Sequence, residues 1–93
     1  MIRVDGHTFI RSGEKIGFID GTHIKNHSGD KVGYYQEDHI YNRDGHKLAY
    51  LEGDHICFTD SSHKIRIEDN NRDVSGGSLS NIQKAAVRVL LGE

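Results

Sequence analysis

Histidine is the residue type that most invites a chemical reading of this chain. Seven are present, and four of them, His7, His23, His39 and His55, recur at an interval of 16 residues. Imidazoles at equivalent positions around an axis could converge on one ion, and a planar set of four nitrogens would favour copper or nickel over tetrahedral zinc. The spacing alone is weak support. No Cys or carboxylate repeats in a zinc pattern, and Gly17, Gly33 and Ala49 are expected across the strand from His7, His23 and His39, where each ring simply covers a small neighbour. Arg66 takes that place opposite His55, and a cation there opposes a symmetric metal site. The four histidines are therefore weak metal candidates, and no cofactor is expected.

Other reactive types give less. Asp38-His39 and Asp54-His55 could orient an imidazole for general-base work, but neighbours along a strand point to opposite faces. Cys57 has no partner Cys and reads as a small packed hydrophobe. His27, His46 and His63 fall at turns and read as solvated. No phosphate loop, nucleophile elbow or HExxH is present. A repeat supplies copies of one environment where catalysis needs unlike groups in unlike environments, so no enzyme is expected.

The element that must position these residues is a β-hairpin. Six residues after each periodic His comes Gly13, Gly29, Gly45 and then Ser61, and four copies run over 7–22, 23–38, 39–54 and 55–69. Sixteen residues suit two short strands and a tight turn. A three-residue loop such as Arg43-Asp44-Gly45 pairs Ile40 with Leu48, Ile24 with Val32 and Thr8 with Ile16, and sets the Gly at the left-handed position of a turn with a bulge. The fourth copy lacks the Gly but gains a residue, so Thr59-Asp60-Ser61-Ser62 forms a four-residue loop and Ile56 still faces Ile65. This register pools Ile16, Phe18, Ile24, Val32, Tyr34, Ile40, Leu48, Tyr50, Ile56, Ile65 and Ile67 into one core. It leaves a second, half-apolar face of Phe9, Ile19, Tyr35, Tyr41, Leu51 and Cys57 with Lys25, Lys31 and Lys47. Short polar links make consecutive hairpins neighbours, and closure of the four into a pseudo-fourfold ring hides strand edges.

The runs Asp38-His39-Ile40-Tyr41-Asn42-Arg43-Asp44-Gly45 and Lys47-Leu48-Ala49-Tyr50-Leu51, with their weaker copies over 7–68, resemble the four-fold β-flower family, small bacterial domains of four hairpin petals. The resemblance implies an architecture and brings no catalytic residues with it.

After a polar segment at 69–78, expected to be a linker, the period changes. Ile82, Ala85, Ala86, Val89 and Leu90 form one helical stripe, and Ser80 with Gln83 makes a capping box, so an amphipathic helix is expected at about 81–91 within a C-terminal segment 79–93. So short a helix must dock, either on its own β-domain or on a partner.

Composition bounds the function. The chain has 93 residues, so its folded form buries only about 60–65% of the surface its unfolded form exposes, which leaves little room for a large enzyme cleft. Twelve Lys and Arg against 14 Asp and Glu give no basic field for nucleic acid, and no apolar stretch reads as a membrane span or leader. A single Cys fits a cytoplasmic protein. The expected function is a non-catalytic structural or protein-interaction module, a homo-oligomer or the partner of another protein, with Phe9, Tyr35, Tyr41, Leu51, Val87, Leu90 and Leu91 as interface candidates. The alternative is a ligand- or metal-binding domain using the repeated His or Tyr residues.

Overall fold

Each 16-residue unit folds into a hairpin, and the glycine six residues after the His does turn left-handed: φ is 81° at Gly13, 89° at Gly29 and 90° at Gly45. In a computed structural model, which describes residues 1–92, the order is β1 (Ile2–Asp5), β2 (Thr8–Arg11), β3 (Glu14–Asp20), β4 (His23–Asn26), β5 (Lys31–Gln36), β6 (His39–Asn42), β7 (Lys47–Glu52), β8 (His55–Phe58), β9 (Lys64–Arg66), α1 (Ile67–Asp73), β10 (Val74–Ser75) and α2 (Asn81–Leu90). Residue 93 of the expected C-terminal segment lies outside the described residues. The strands form one sheet in the order β10-β1-β2-β3-β4-β5-β6-β7-β8-β9, antiparallel throughout except that β10 runs parallel to β1.

The sheet is not closed. The chain enters α1 at Ile67, directly after three-residue β9, so the fourth hairpin has no further strand to pair with, and β9 and β10 remain as the two edges. The four hairpins are consecutive neighbours, as the short links require, but they make an open meander rather than a ring.

In the second and third hairpins the expected register holds only next to the turns. Lys25 pairs with Lys31 and Tyr41 with Lys47, and the Asn26 and Asn42 side chains each accept two backbone N–H groups at 2.9 and 3.0 Å across the loop. One residue further on the ladder slips, and Ile24 pairs with Gly33 and Ile40 with Ala49 in place of Val32 and Leu48. The first hairpin slips in the same way, so Phe9 meets Gly17 and Thr8 meets Phe18 rather than Ile16. Its turn is tighter, with Ser12 and Gly13 both at positive φ between paired Arg11 and Glu14, as a two-residue hairpin loop of the I′ type needs. The fourth hairpin has no slip, and Ile56 faces Ile65 across a four-residue loop as expected.

A one-residue bulge at Ile16, Val32 and Leu48 resets the alternation of side chains, and this corrects the core. Ile24, Ile40 and Ile56 join Phe9, Ile19, Tyr35 and Leu51 on one face, while Phe18, Tyr34 and Tyr50 turn to the other. Ile24, Ile40 and Ile56 are fully buried, each worth about 1.5–3 kcal/mol relative to exposure.

Helix α2 covers that face in cis. Its capping box forms, Ser80 N–H donating to Gln83 Oε1 at 2.7 Å and Gln83 N–H to Ser80 Oγ at 3.4 Å. It starts beside Asp38 and Gly53 and ends beside Leu48, Phe58 and His63, which sets the positive end of its dipole at an acidic link. Close approach is possible because Gly17 and Gly33 carry no side chain: a Cβ there would lie 2.8 Å from Leu91 and 2.6 Å from Leu90. These small residues serve the helix contact; across the strands the histidines face Tyr34, Tyr50 and Arg66.

The segment 69–78 is not a linker. Most of α1 and all of β10 lie in it, Asn70 and Val74 are buried, and β10 pairs with β1. Glu68 and Asp69 in the first turn of α1 and Arg72 in its last suit the helix dipole, and Arg72 pairs with both acids. Arg88 of α2 binds Asp73, holding the two helices together.

Candidate functional site

With α2 on one face, the other face of the sheet is where the repeat presents its polar and aromatic side chains. The ladder arranges them in rows that cross the strands. One row runs Asp20, His23, Tyr34, Tyr41, Lys47; the next runs Gln36, His39, Tyr50, Cys57, Lys64. The row before them runs Asp5, Thr8, Phe18, Lys25, Lys31, and the last is shortened to Glu52, His55, Arg66. The first three rows therefore pass from a polar, mostly acidic end at the links between hairpins to a cationic end at the hairpin turns, while the last ends on Arg66 beside the Asp54 link.

Rings dominate the middle of the face. Tyr34 and Tyr41 stack with centroids 5.1 Å apart and planes at 14°, and His23 meets Tyr34 edge-on at 5.9 Å. Lys31 Nζ lies 5.1 Å from the Tyr34 centroid, Lys47 5.5 Å from Tyr50, and Lys15 and Lys25 flank Phe18 at 5.0 and 5.9 Å. The bulge makes this possible, because it brings residues three apart, Lys31 with Tyr34 and Lys47 with Tyr50, onto one face. Cation–ring contacts of this exposed kind contribute about 0.5–1 kcal/mol each.

The charge of the face differs from that of the chain. Arg3, Lys15, Lys25, Lys31, Lys47, Lys64 and Arg66 project from it against Asp5, Asp20 and Glu52, while the whole chain has a formal charge of -2. Lys25 is paired with Asp20 at 3.3 Å and Arg66 with Glu68 at 3.5 Å, so the unpaired cations of this face are Arg3, Lys15, Lys31, Lys47 and Lys64 among the described residues. The pKa of the Tyr50 hydroxyl is held above its ordinary value, chiefly by the negative charge of a Cys57 thiolate beside it, with burial, Glu52 and a hydrogen bond with Cys57 pushing the same way.

The periodic histidines do not converge. His23, His39 and His55 begin β4, β6 and β8, one hairpin apart, which is two strand spacings or about 9.6 Å along an open sheet. His7 lies in the exposed turn between β1 and β2. Among the described residues no three His, Cys, Asp or Glu side chains gather as metal ligands. His55 Nδ1 lies 2.8 Å from the Asp54 carboxylate, so this neighbouring pair does meet, because Asp54 belongs to the link rather than to the strand. Nδ1 of His23 and of His39 is buried without a hydrogen-bond partner among the described residues. His27, His46 and His63 are all exposed at turns, and His63 also stacks on Phe58 at 5.2 Å.

Of the expected interface residues, only Tyr41 lies on the open face. Phe9 and Val87 are fully buried, and Tyr35, Leu51, Leu90 and Leu91 pack against the same core. The Tyr35 hydroxyl accepts a hydrogen bond from Gln83 Nε2 at 2.9 Å, which ties the sheet to the cap of α2. The slips in the first three hairpins put Ile19, Tyr35 and Leu51 on the same side as Ile24, Ile40 and Ile56, and α2 then had one continuous apolar face to cover. Tyr34, Tyr50 and the lysine row, which belong to the open face, were signalled by the small residue just after each bulge. Neither helix is long and apolar enough to cross a membrane. Compared with known proteins, the chain matches no family model, no curated protein and no solved structure.

Proposed function

We propose that the chain is a non-catalytic protein-interaction module that docks an acidic protein surface on its open face. The observation that carries this reading is the partition of charge: on the paired strand positions seven Lys and Arg stand against three Asp and Glu, with Glu68 and Asp54 beside Arg66 and His55, around a tyrosine stack in a chain whose formal charge is -2. Charge complementarity sets association rate and partner choice, while the rings give contact area at low entropic cost. The rows repeat one environment and so favour binding over chemistry.

A labelled oligoglutamate peptide tests this directly. It should bind at low ionic strength, weaken as salt rises, and lose about tenfold in affinity, or about 1.4 kcal/mol, in a Lys25→Gln, Lys31→Gln, Lys47→Gln triple variant. A single-stranded oligonucleotide of equal charge is the counter-probe, since stacking platforms beside cations also suit nucleic acid. Tighter binding of the oligonucleotide, or no binding of the peptide, overturns the proposal.

A further inference from the structure

The sheet has two unlike rims. Links between hairpins lie along one, and they carry Asp5, Asp20, Glu37, Asp38, Glu52 and Asp54 with no Lys or Arg. Hairpin turns lie along the other, and they carry Arg11, Lys15, Lys31, Arg43, Lys47 and Lys64 against four acids, Glu14, Asp30, Asp44 and Asp60. Both rims are made by the same repeat, so both have the pitch of one hairpin, two strand spacings of about 4.8 Å each.

We propose that the acidic partner is a second copy of this chain, stacked head to tail so that its link rim lies against the lysine-bearing edge of the open face. This rests on the interaction-module reading and names its partner. Equal pitch is the argument for a second copy: when one acidic link meets one Lys, the neighbouring links meet the neighbouring lysines, so attraction is gained at every hairpin at once. An unrelated acidic surface matches at one position and misses the next. The contact is heterologous and leaves a free rim at each end, so it extends into a stack. One local feature agrees with a working link rim. Gly6, Gly21 and Gly53 occupy the left-handed position of three links at φ 62° to 64°, and the remaining link places Glu37 there at φ 54°. An acid stands where the fold favours glycine.

Sedimentation velocity on the full chain tests the stack. The wild type should associate with concentration at low salt, and its apparent dissociation constant should rise at least tenfold at high salt. Two charge-reversal variants should each be monomeric alone: Lys15→Glu, Lys31→Glu, Lys47→Glu, which has two acidic rims, and Glu37→Lys, Asp38→Lys, Glu52→Lys, Asp54→Lys, which has two basic ones. Mixed in equal amounts they should associate, because each offers both rims to the other. Circular dichroism confirms that both are folded, and the salt series needs neither variant. A wild type that stays monomeric at low salt, association that ignores salt, or two monomeric variants that stay apart on mixing would overturn the proposal. Oligoglutamate binding without self-association would sink only the second-copy partner and leave the interaction reading standing.

Discussion

Gly33→Ala is the substitution for which the packing gives the most definite answer. In an ordinary strand the change from Gly to Ala stabilises by about 0.4–1 kcal/mol, because the unfolded chain loses freedom. At Gly33 the added Cβ would press into the Tyr41 carbonyl oxygen and lie 2.6 and 2.7 Å from the two Leu90 methyl carbons. Leu90 is a flexible side-chain end and can swing away. The carbonyl belongs to the β5–β6 ladder and moves only if that ladder deforms. Overpacking of this kind costs about 1–3 kcal/mol, and the backbone contact puts the site toward the upper end. Net of the entropic gain, a loss of about 2 kcal/mol is expected, against a total stability of about 5–14 kcal/mol for a chain of this length. Thermal unfolding followed by circular dichroism should show Tm lower by about 8–16 °C. The double variant Gly33→Ala, Leu90→Ala separates the two contacts. Leu90 is only partly buried, so Leu90→Ala alone should cost no more than the lower end of the range of about 2–5 kcal/mol for a fully buried Leu, and the pair should lose less than the sum by at least 0.5 kcal/mol or so, the lower range for touching residues. A Gly33→Ala protein as stable as the wild type, or strict additivity in the double variant, would show that α2 does not sit on Gly33 as described.

Three further outcomes rest on single contacts. Ser80→Ala removes the side-chain half of the α2 capping box, which should lower stability by about 1 kcal/mol and Tm by about 4–8 °C; an unchanged urea midpoint would count against the cap. Glu37→Gly relieves a left-handed backbone and should raise stability by about 1 kcal/mol, so a lower Tm would contradict the link geometry. Tyr50 has its pKa raised, chiefly by Cys57, so above about pH 10 the native state holds this proton longer than the unfolded chain. Stability is then complete below that pH and is lost as pH rises through the folded-state value. The Tm of wild type should therefore fall faster than that of Tyr50→Phe in this range, and parallel curves would refute the coupling.

Much of the architecture is written in local chemistry that a reader of the residues can recover. The second and third turns were legible because a left-handed backbone at Gly29 and Gly45 wants glycine, and the four-residue fourth loop because Ser61 cannot replace it without an added residue; the first was not, since Ser12 also turns left-handed and shortens that loop to two residues. Helix α2 was legible because a change of period and a capping box mark it. The segment 69–78 was not: its composition is polar, and its order comes from β10 pairing with β1 and from Arg88 binding Asp73, both distant in sequence. The histidine reading depended on a closed ring, and the early turn into α1 removed the axis on which imidazoles could meet.

The bulge is the feature whose loss from view mattered most for function. Val32 and Leu48 look like ordinary strand residues, and no residue type announces an unpaired position in a ladder. Their only trace is the next residue along each strand, Gly33 and Ala49, small because α2 lies on that side. Without the slip, strict alternation would place Lys31 and Lys47 on the face opposite Tyr34 and Tyr50, and cations would be divided between the two faces. With it, Lys15, Lys31 and Lys47 each share a face with the next ring along the strand, and three hairpins do this in the same way. The overall charge of -2 therefore says nothing against a basic surface, because register and not composition decides which side of the sheet each charge occupies.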